Sequence, residues 1–195
     1  MSKEPSSYFL TVIKFMSAKT TLTNMSKVFE VIQQRRSIRR YEPKPIPKDI
    51  LLKLLEAARL APSAGNRQPW RFVIVTDPER KKKLAEACHH QMFIADAGVV
   101  IVALSDPKTS PRWHALDTMI ALEHIVLVAT DLGLGTCWIG AFEPERVKEI
   151  IGSPKDLNPV AVLPVGYPAE APPPRPRKRL EEIFFQEKYG NPLAL

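Results

Sequence analysis

The stretch RWHALDTMIALEHIVLVATDLGLGTCWIGA, residues 112–141, decides how this chain folds. Its spacing predicts one long helix from Arg112 to Leu132, with apolar residues around most of the circumference. Only Asp117, Glu123, His124, Thr130 and Asp131 form a narrow polar stripe. A helix that is apolar nearly all round must be buried nearly all round. A chain of 195 residues has few places to hide such a helix, so it predicts a central position completed by a second copy of the chain. Gly133 is read as a left-handed helix stop, and Thr136 to Ala141 as a strand entering the same core.

Outward from this centre, the pattern towards the N-terminus alternates helices with few strands. Val28, Phe29, Val31 and Ile32 share one face of a helix capped by Ser26 and ending near Ser37. Pro43, Pro45 and Pro47 make an extended connector, and a second helix, Lys48 to Leu60, buries Leu51, Leu54, Leu55 and Ala58. A loop from Pro62 to Pro69 leads into a strand, Arg71 to Thr76; Asp77-Pro78 then opens a helix to about Cys88, and Ala97 to Leu104 is a buried strand. Towards the C-terminus come a helix from Pro144 to Ile151 and a strand from Val160 to Tyr167. The segment Pro168 to Pro176 is too rich in proline for either and is expected to run extended. Leu180 to Phe185 reads as a last short helix. Residues 1–24 form a polar leader around the Tyr8 to Ile13 patch, 25–185 one domain and 186–195 a tail. This order favours α+β over a doubly wound sheet.

Composition narrows the function. At 45% hydrophobic and 25% charged the chain has material for a core, and no apolar run approaches the ~20 residues of a membrane helix. Two cysteines, Cys88 and Cys137, make neither a disulfide framework nor a four-ligand zinc site; a reducing cytoplasm is the expected compartment. The net charge of +7 concentrates in Arg35, Arg36, Arg39 and Arg40, in Lys81 to Lys83, and in Arg175, Arg177, Lys178 and Arg179. Basic residues do not interleave with base-stacking aromatics, so a small phosphorylated ligand fits better than nucleic acid. Gly133-Leu134-Gly135 follows a helix and enters a strand, the reverse of a dinucleotide turn. Cys88, His89 and His90 are adjacent and cannot converge on a metal, and no Gly-x-Ser-x-Gly elbow exists.

Four motifs remain, in order: Arg35-Arg36-Ser37-Ile38-Arg39; Ala61 to Trp70 (APSAGNRQPW); Gly133 to Gly140 (GLGTCWIG); and Gly166-Tyr167-Pro168 with Arg177 beyond. Together they resemble the nitroreductase-like family of FMN flavoproteins, from about Val28 to Ile183. The resemblance implies an α+β fold with a central mixed, largely antiparallel sheet surrounded by helices, and an obligate homodimer with FMN at the interface. It implies that Arg35, Ser37 and Arg39, with the backbone of Arg36, and Arg177 from the C-terminal arm, hold the phosphate and ring edge, with Arg175 as an assisting candidate. It further implies that Pro62, Ser63, Ala64, Asn66 and Gln68 reach the flavin of the other subunit. Ile139 and Gly140 would lie against the ring, with the Gly140 N–H directed at N5, and Gln91 is a further candidate ring contact. No dedicated acid–base residue and no metal are expected. The implied activity passes a hydride from NAD(P)H to nitroaromatic, quinone or similar acceptors by a ping-pong route. Reductive dehalogenation, flavin fragmentation and a non-catalytic flavin- or nucleotide-binding role are the alternatives. Trp113-His114 replaces a frequent tyrosine near the expected substrate channel, so substrate preference does not transfer.

Overall fold

The structure, a computed structural model, describes residues 26–194; the readings of residues 1–24 as a leader and of the Tyr8 to Ile13 patch lie outside the described residues. The elements are α1 (Lys27–Gln34), α2 (Lys48–Arg59), β1 (Trp70–Val75), α3 (Pro78–Ala87), α4 (Phe93–Asp96), β2 (Val99–Ser105), α5 (His114–Asp131), β3 (Gly135–Thr136), α6 (Pro144–Ile151) and β4 (Asn158–Gly166), with 3₁₀ turns at Ala64–Asn66 and Leu180–Glu182. The strands form one sheet in the order β1-β2-β4-β3, and every neighbouring pair is antiparallel. Among the described residues the parallel component is a single bridge between Ser37 and Thr136.

The apolar run of β2 is explained by its place inside the sheet with helices on both faces. Successive side chains of a strand point to opposite sides. Val99, Ile101 and Ala103 meet Leu54 and Ala58 of α2 and Ala121, Leu122, Ile125, Val126 and Ala129 of α5. Val100, Val102 and Leu104 meet Leu84 and Ala85 of α3, Ile94 of α4 and Val147 of α6. The result is a three-layer α+β architecture. Asp77 caps α3 as its sequence implies, accepting from the Arg80 N–H at 2.9 Å with Pro78 in the first turn. No helix among the described residues is long and apolar enough to cross a membrane.

Four expectations need correction. First, α5 is His114–Asp131, two residues shorter at its start and one at its end than the expected Arg112 to Leu132; within one chain Leu116, Met119 and Ile120 are 54%, 45% and 42% exposed, the side that the expectation assigned to a second copy. Of the polar stripe, Asp131 is exposed and pairs with Lys27 at 3.2 Å, and the other four have partners within the chain. Asp117 is buried and accepts from the Ala64 N–H, Glu123 accepts from the Trp138 indole N–H at 3.0 Å, the His124 Nδ1 donates to the Ala57 carbonyl at 3.1 Å, and Thr130 donates to Val126 at 2.9 Å. Second, α1 ends at Gln34, short of Ser37, because the Ile38 N–H is taken by the Thr136 carbonyl at 2.9 Å and Ser37 joins the sheet edge. The Ser26 side chain makes no cap bond, and of the proposed apolar face only Val31 is buried.

Third, the strand expected over Thr136 to Ala141 shrinks to Gly135–Thr136, followed by a bridge between Ile139 and Val162. Both pieces keep one register against β4, in which Cys137 would face Pro164. Proline has no N–H to donate, so the ladder is interrupted there. The Pro164 carbonyl instead accepts from the Tyr41 hydroxyl at 3.3 Å. Fourth, the helix expected over Leu180 to Phe185 is a 3₁₀ turn with Leu180, Ile183 and Phe184 exposed, since no core lies under it in one chain. Strand ends elsewhere shift by one or two residues; Ala97 precedes β2, and the short α4 and the Ala64–Asn66 turn were not expected.

Gly133, at φ 74°, ends α5 as expected, with the Leu134 N–H donating to Ala129 at 2.8 Å. Gly135 is required by close approach: a Cβ there would meet Ile38 side-chain atoms at 2.6–2.9 Å.

Candidate active site

Beyond α1 the chain runs extended and lies against the segment that leaves β4. The Glu42 N–H donates to Tyr167, Tyr41 bridges Pro168, and the Ala169 N–H donates to Arg40, with both bonds 2.9 Å long. This pairing brings the proline-rich arm alongside Arg35 to Arg39. Between them lies a cavity of about 580 Å³ lined by Ile32, Gln33, Arg35, Arg36, Ser37, Arg39, Pro172, Pro173, Pro174, Arg175 and Arg177. Five of these residues are arginines and none is acidic. Among the described residues no carboxylate forms an ion pair with any of the five. One Arg36 nitrogen donates to the Gln33 and Arg35 carbonyls at 2.7 and 2.9 Å, and one Arg177 nitrogen to those of Arg175 and Pro176 at 3.2 Å. The remaining N–H groups supply a set of donors suited to a bidentate anion.

The structure therefore brings together Arg35, Arg36, Ser37, Arg39 and Arg177, from sequence positions more than a hundred residues apart, and adds Arg175. The other sequence candidates do not line this cavity. Pro62, Ser63, Ala64, Asn66 and Gln68 lie on the loop between α2 and β1. Among the bonds that hold that loop are Ala64 N–H to both Asp117 oxygens at 3.2 and 3.3 Å, Gln68 N–H to the Ser63 hydroxyl at 2.9 Å, and the Arg67 guanidinium to the Ala64 carbonyl at 3.2 Å. Asn66 and Gln68 have φ of 54° and 51°, left-handed backbone that a side chain disfavours. Such outliers persist where surrounding contacts over-determine them.

Ile139 and Gly140 follow β3. Two 3.0 Å bonds with Val162 fix the buried Ile139, and Gly140 beside it is exposed; a Cβ at Gly140 would meet nothing within 4 Å. Gln91 spends its amide on the Cys88 carbonyl at 2.9 Å, at the end of α3. Trp113 precedes α5, 40% exposed, with the Arg112 guanidinium 5.1 Å from its ring.

Burial pushes the Cys88 thiol up to about 12 and raises that of Cys137 as well, so neither supplies a thiolate near neutrality. Burial likewise raises the Tyr41 hydroxyl, which stays a donor to Ile38 at 2.8 Å. Sequence reasoning missed Asp117 as the anchor of the loop. The signal was present: a carboxylate inside an apolar helix surface must find a buried donor.

A family profile described as the nitroreductase family matches residues 32–106 and 89–167. The chain is 33% identical over 188 residues to an NADH dehydrogenase of Thermus thermophilus, covering 78% of this chain and 92% of that protein. It is 33% identical over 189 residues to an FMN reductase [NAD(P)H] of Bacillus subtilis, covering 86% and 76%. Among solved structures, a nitroreductase family protein from Clostridium novyi superposes with a TM-score of 0.71 at 34% identity, over 86% of this chain and 97% of that one. The fold and these similarities agree, and the chain belongs to the nitroreductase family.

Proposed function

We propose that this chain, an NAD(P)H-dependent oxidoreductase, carries one FMN whose phosphate is held in the arginine cavity, and reduces nitroaromatic, quinone or similar small acceptors. The observation that carries the reading is that cavity: five arginines and a serine hydroxyl, with no carboxylate in the lining. Clustered guanidinium groups repel one another, and a phosphate dianion offsets that repulsion through charge-assisted bonds worth ~1.5–3 kcal/mol each. The donor set fits a phosphate.

Bound FMN would supply the two-electron redox chemistry, which the side chains lack. Arg35, Ser37, Arg39 and Arg177 would hold the phosphate, with Arg36 acting mainly through its backbone. Ile139 fixes the strand end, and the exposed Gly140 backbone beside it offers an N–H to a ring edge with no side chain in the way. The Pro62 to Gln68 loop, locked onto α5 by Asp117, would reach the site of a second copy. Leu116, Met119 and Ile120 of α5, with Val28, Phe29 and Ile32 of α1, are exposed and apolar and would form the face between the copies. The FMN-binding unit spans 25–185.

Donor and acceptor use one site in turn on this reading. The test is initial-rate kinetics with NADH or NADPH against a nitroaromatic and a quinone. Parallel double-reciprocal lines are expected at several fixed acceptor concentrations, and intersecting lines would reject the shared site.

A further inference from the structure

We propose that Glu170 is a positioning residue for the phosphate-binding arm, clipping its base to the arginine segment so that Arg175 and Arg177 reach the cavity; this rests on the FMN reading above. The Arg39 backbone N–H donates to the Glu170 Oε1 at 2.5 Å. This bond extends the pairing of Glu42 with Tyr167 and of Arg40 with Ala169 by one more rung, and it is the last such tie before the prolines. Past it the chain runs through Pro172, Pro173 and Pro174 to Arg175 and Arg177, both on the cavity wall. A polyproline-like segment advances about 3.1 Å per residue and bends little, so an error of direction at its base grows along its length. The clip therefore governs where the two arginines stand.

The choice of a carboxylate beside a cluster of arginines needs explaining, because a carboxylate competes with a phosphate for guanidinium donors. Glu170 does not compete. It is half-buried, it lines not the arginine cavity but the neighbouring one, whose wall shares Arg36 and Pro172 with it, and it forms no ion pair with a guanidinium among the described residues. Its acceptor is spent on backbone, where an ionised oxygen makes a stronger bond than a neutral one. The same N–H ties the arm to the residue whose side chain lines the cavity, so arm and arginine segment are set relative to each other by one bond.

The test titrates FMN and riboflavin into apoprotein of wild type, Glu170→Ala, Glu170→Gln, Arg175→Ala/Arg177→Ala, and the triple variant that adds Glu170→Ala to that pair. Loss of one positioning bond should weaken FMN binding by about three- to tenfold in Glu170→Ala and leave riboflavin unchanged. Glu170→Gln keeps an acceptor oxygen, though a neutral and weaker one, and should stay within about twofold of wild type, losing less than Glu170→Ala. In the background without the arm arginines, Glu170→Ala should have no further effect. An unchanged FMN affinity in Glu170→Ala, equal losses for both flavins, equal losses in Ala and Gln, or a loss that persists without the arm arginines would each overturn the proposal. Wild type that binds FMN no better than riboflavin would instead overturn the FMN reading itself.

Discussion

Replacing Arg177 with alanine should weaken FMN binding by roughly ten- to over a hundredfold. Arg177 is exposed, and its structural ties are two 3.2 Å bonds to carbonyls of its own arm, at Arg175 and Pro176. It has no ion-pair partner among the described residues, so its removal leaves no buried group unsatisfied and the fold keeps its stability. Removing it also relieves repulsion in the cluster: two unit charges ~7 Å apart in water interact by only ~0.6 kcal/mol, and salt screens that further. This relief is the same with and without ligand and cancels from the binding difference. What remains is one charge-assisted contact to phosphate, ~1.5–3 kcal/mol. Fluorescence titration of apoprotein with FMN and with riboflavin reads it directly, because riboflavin keeps the ring and lacks the phosphate. Equal losses for the two flavins would mean that Arg177 supports the ring slot or the fold, and the phosphate assignment would be refuted.

Sedimentation of the purified protein should show a dimer, and Ile120→Glu, which places a charge in the exposed apolar strip of α5, should shift it to monomer; a wild-type monomer with bound flavin would contradict the interface. Asp117→Ala strands the Ala64 N–H and should lower stability by ~1–3 kcal/mol in denaturant unfolding, with FMN affinity falling too, while Asp117→Asn, which keeps an acceptor, should recover most of both. The Cys88 thiol ionises near 12 in the fold against an ordinary 9.0, so the unfolded chain gives up its proton first as pH rises. Its contribution to stability is full below pH 9.0 and is lost between there and about 12, so Cys88→Ala should show a shallower alkaline fall in Tm, and native Cys88 should resist alkylation at pH 8.

The residues that build the arginine cavity were legible because their motifs are local. Arg35 to Arg39 and the proline-stiffened Arg175 to Arg177 are short segments; alone, a run of arginines at a helix end reads as a solvated face, and the other motifs in order reverse that reading. The sheet was legible for a similar reason: an unbroken apolar run of the length of β2, rich in valine, is too short for a buried helix and reads as a strand covered on both faces. What escaped depends on pairing across the chain. The break in β3 comes from Pro164, far along the sequence, whose missing N–H falls on the side facing Cys137. The early end of α1 comes from Thr136 claiming the Ile38 N–H. Asp117 read as part of a polar stripe because periodicity reports which face a residue occupies and not whether a loop has brought it a donor. Which side of α5 stays exposed was not legible either: the pattern shows apolarity nearly all round, and only the packing of α2 and β2 decides which residues the core takes and which are left for another surface.

The most direct test of the central claim is the identity and amount of flavin released when the purified protein is denatured. The purified protein should be yellow and yield FMN, about one per chain, and no FAD, since the arginine cavity offers one phosphate site and the sequence has no glycine-rich pyrophosphate loop. A colourless protein that takes up no added FMN, or one that yields FAD, would contradict the claim.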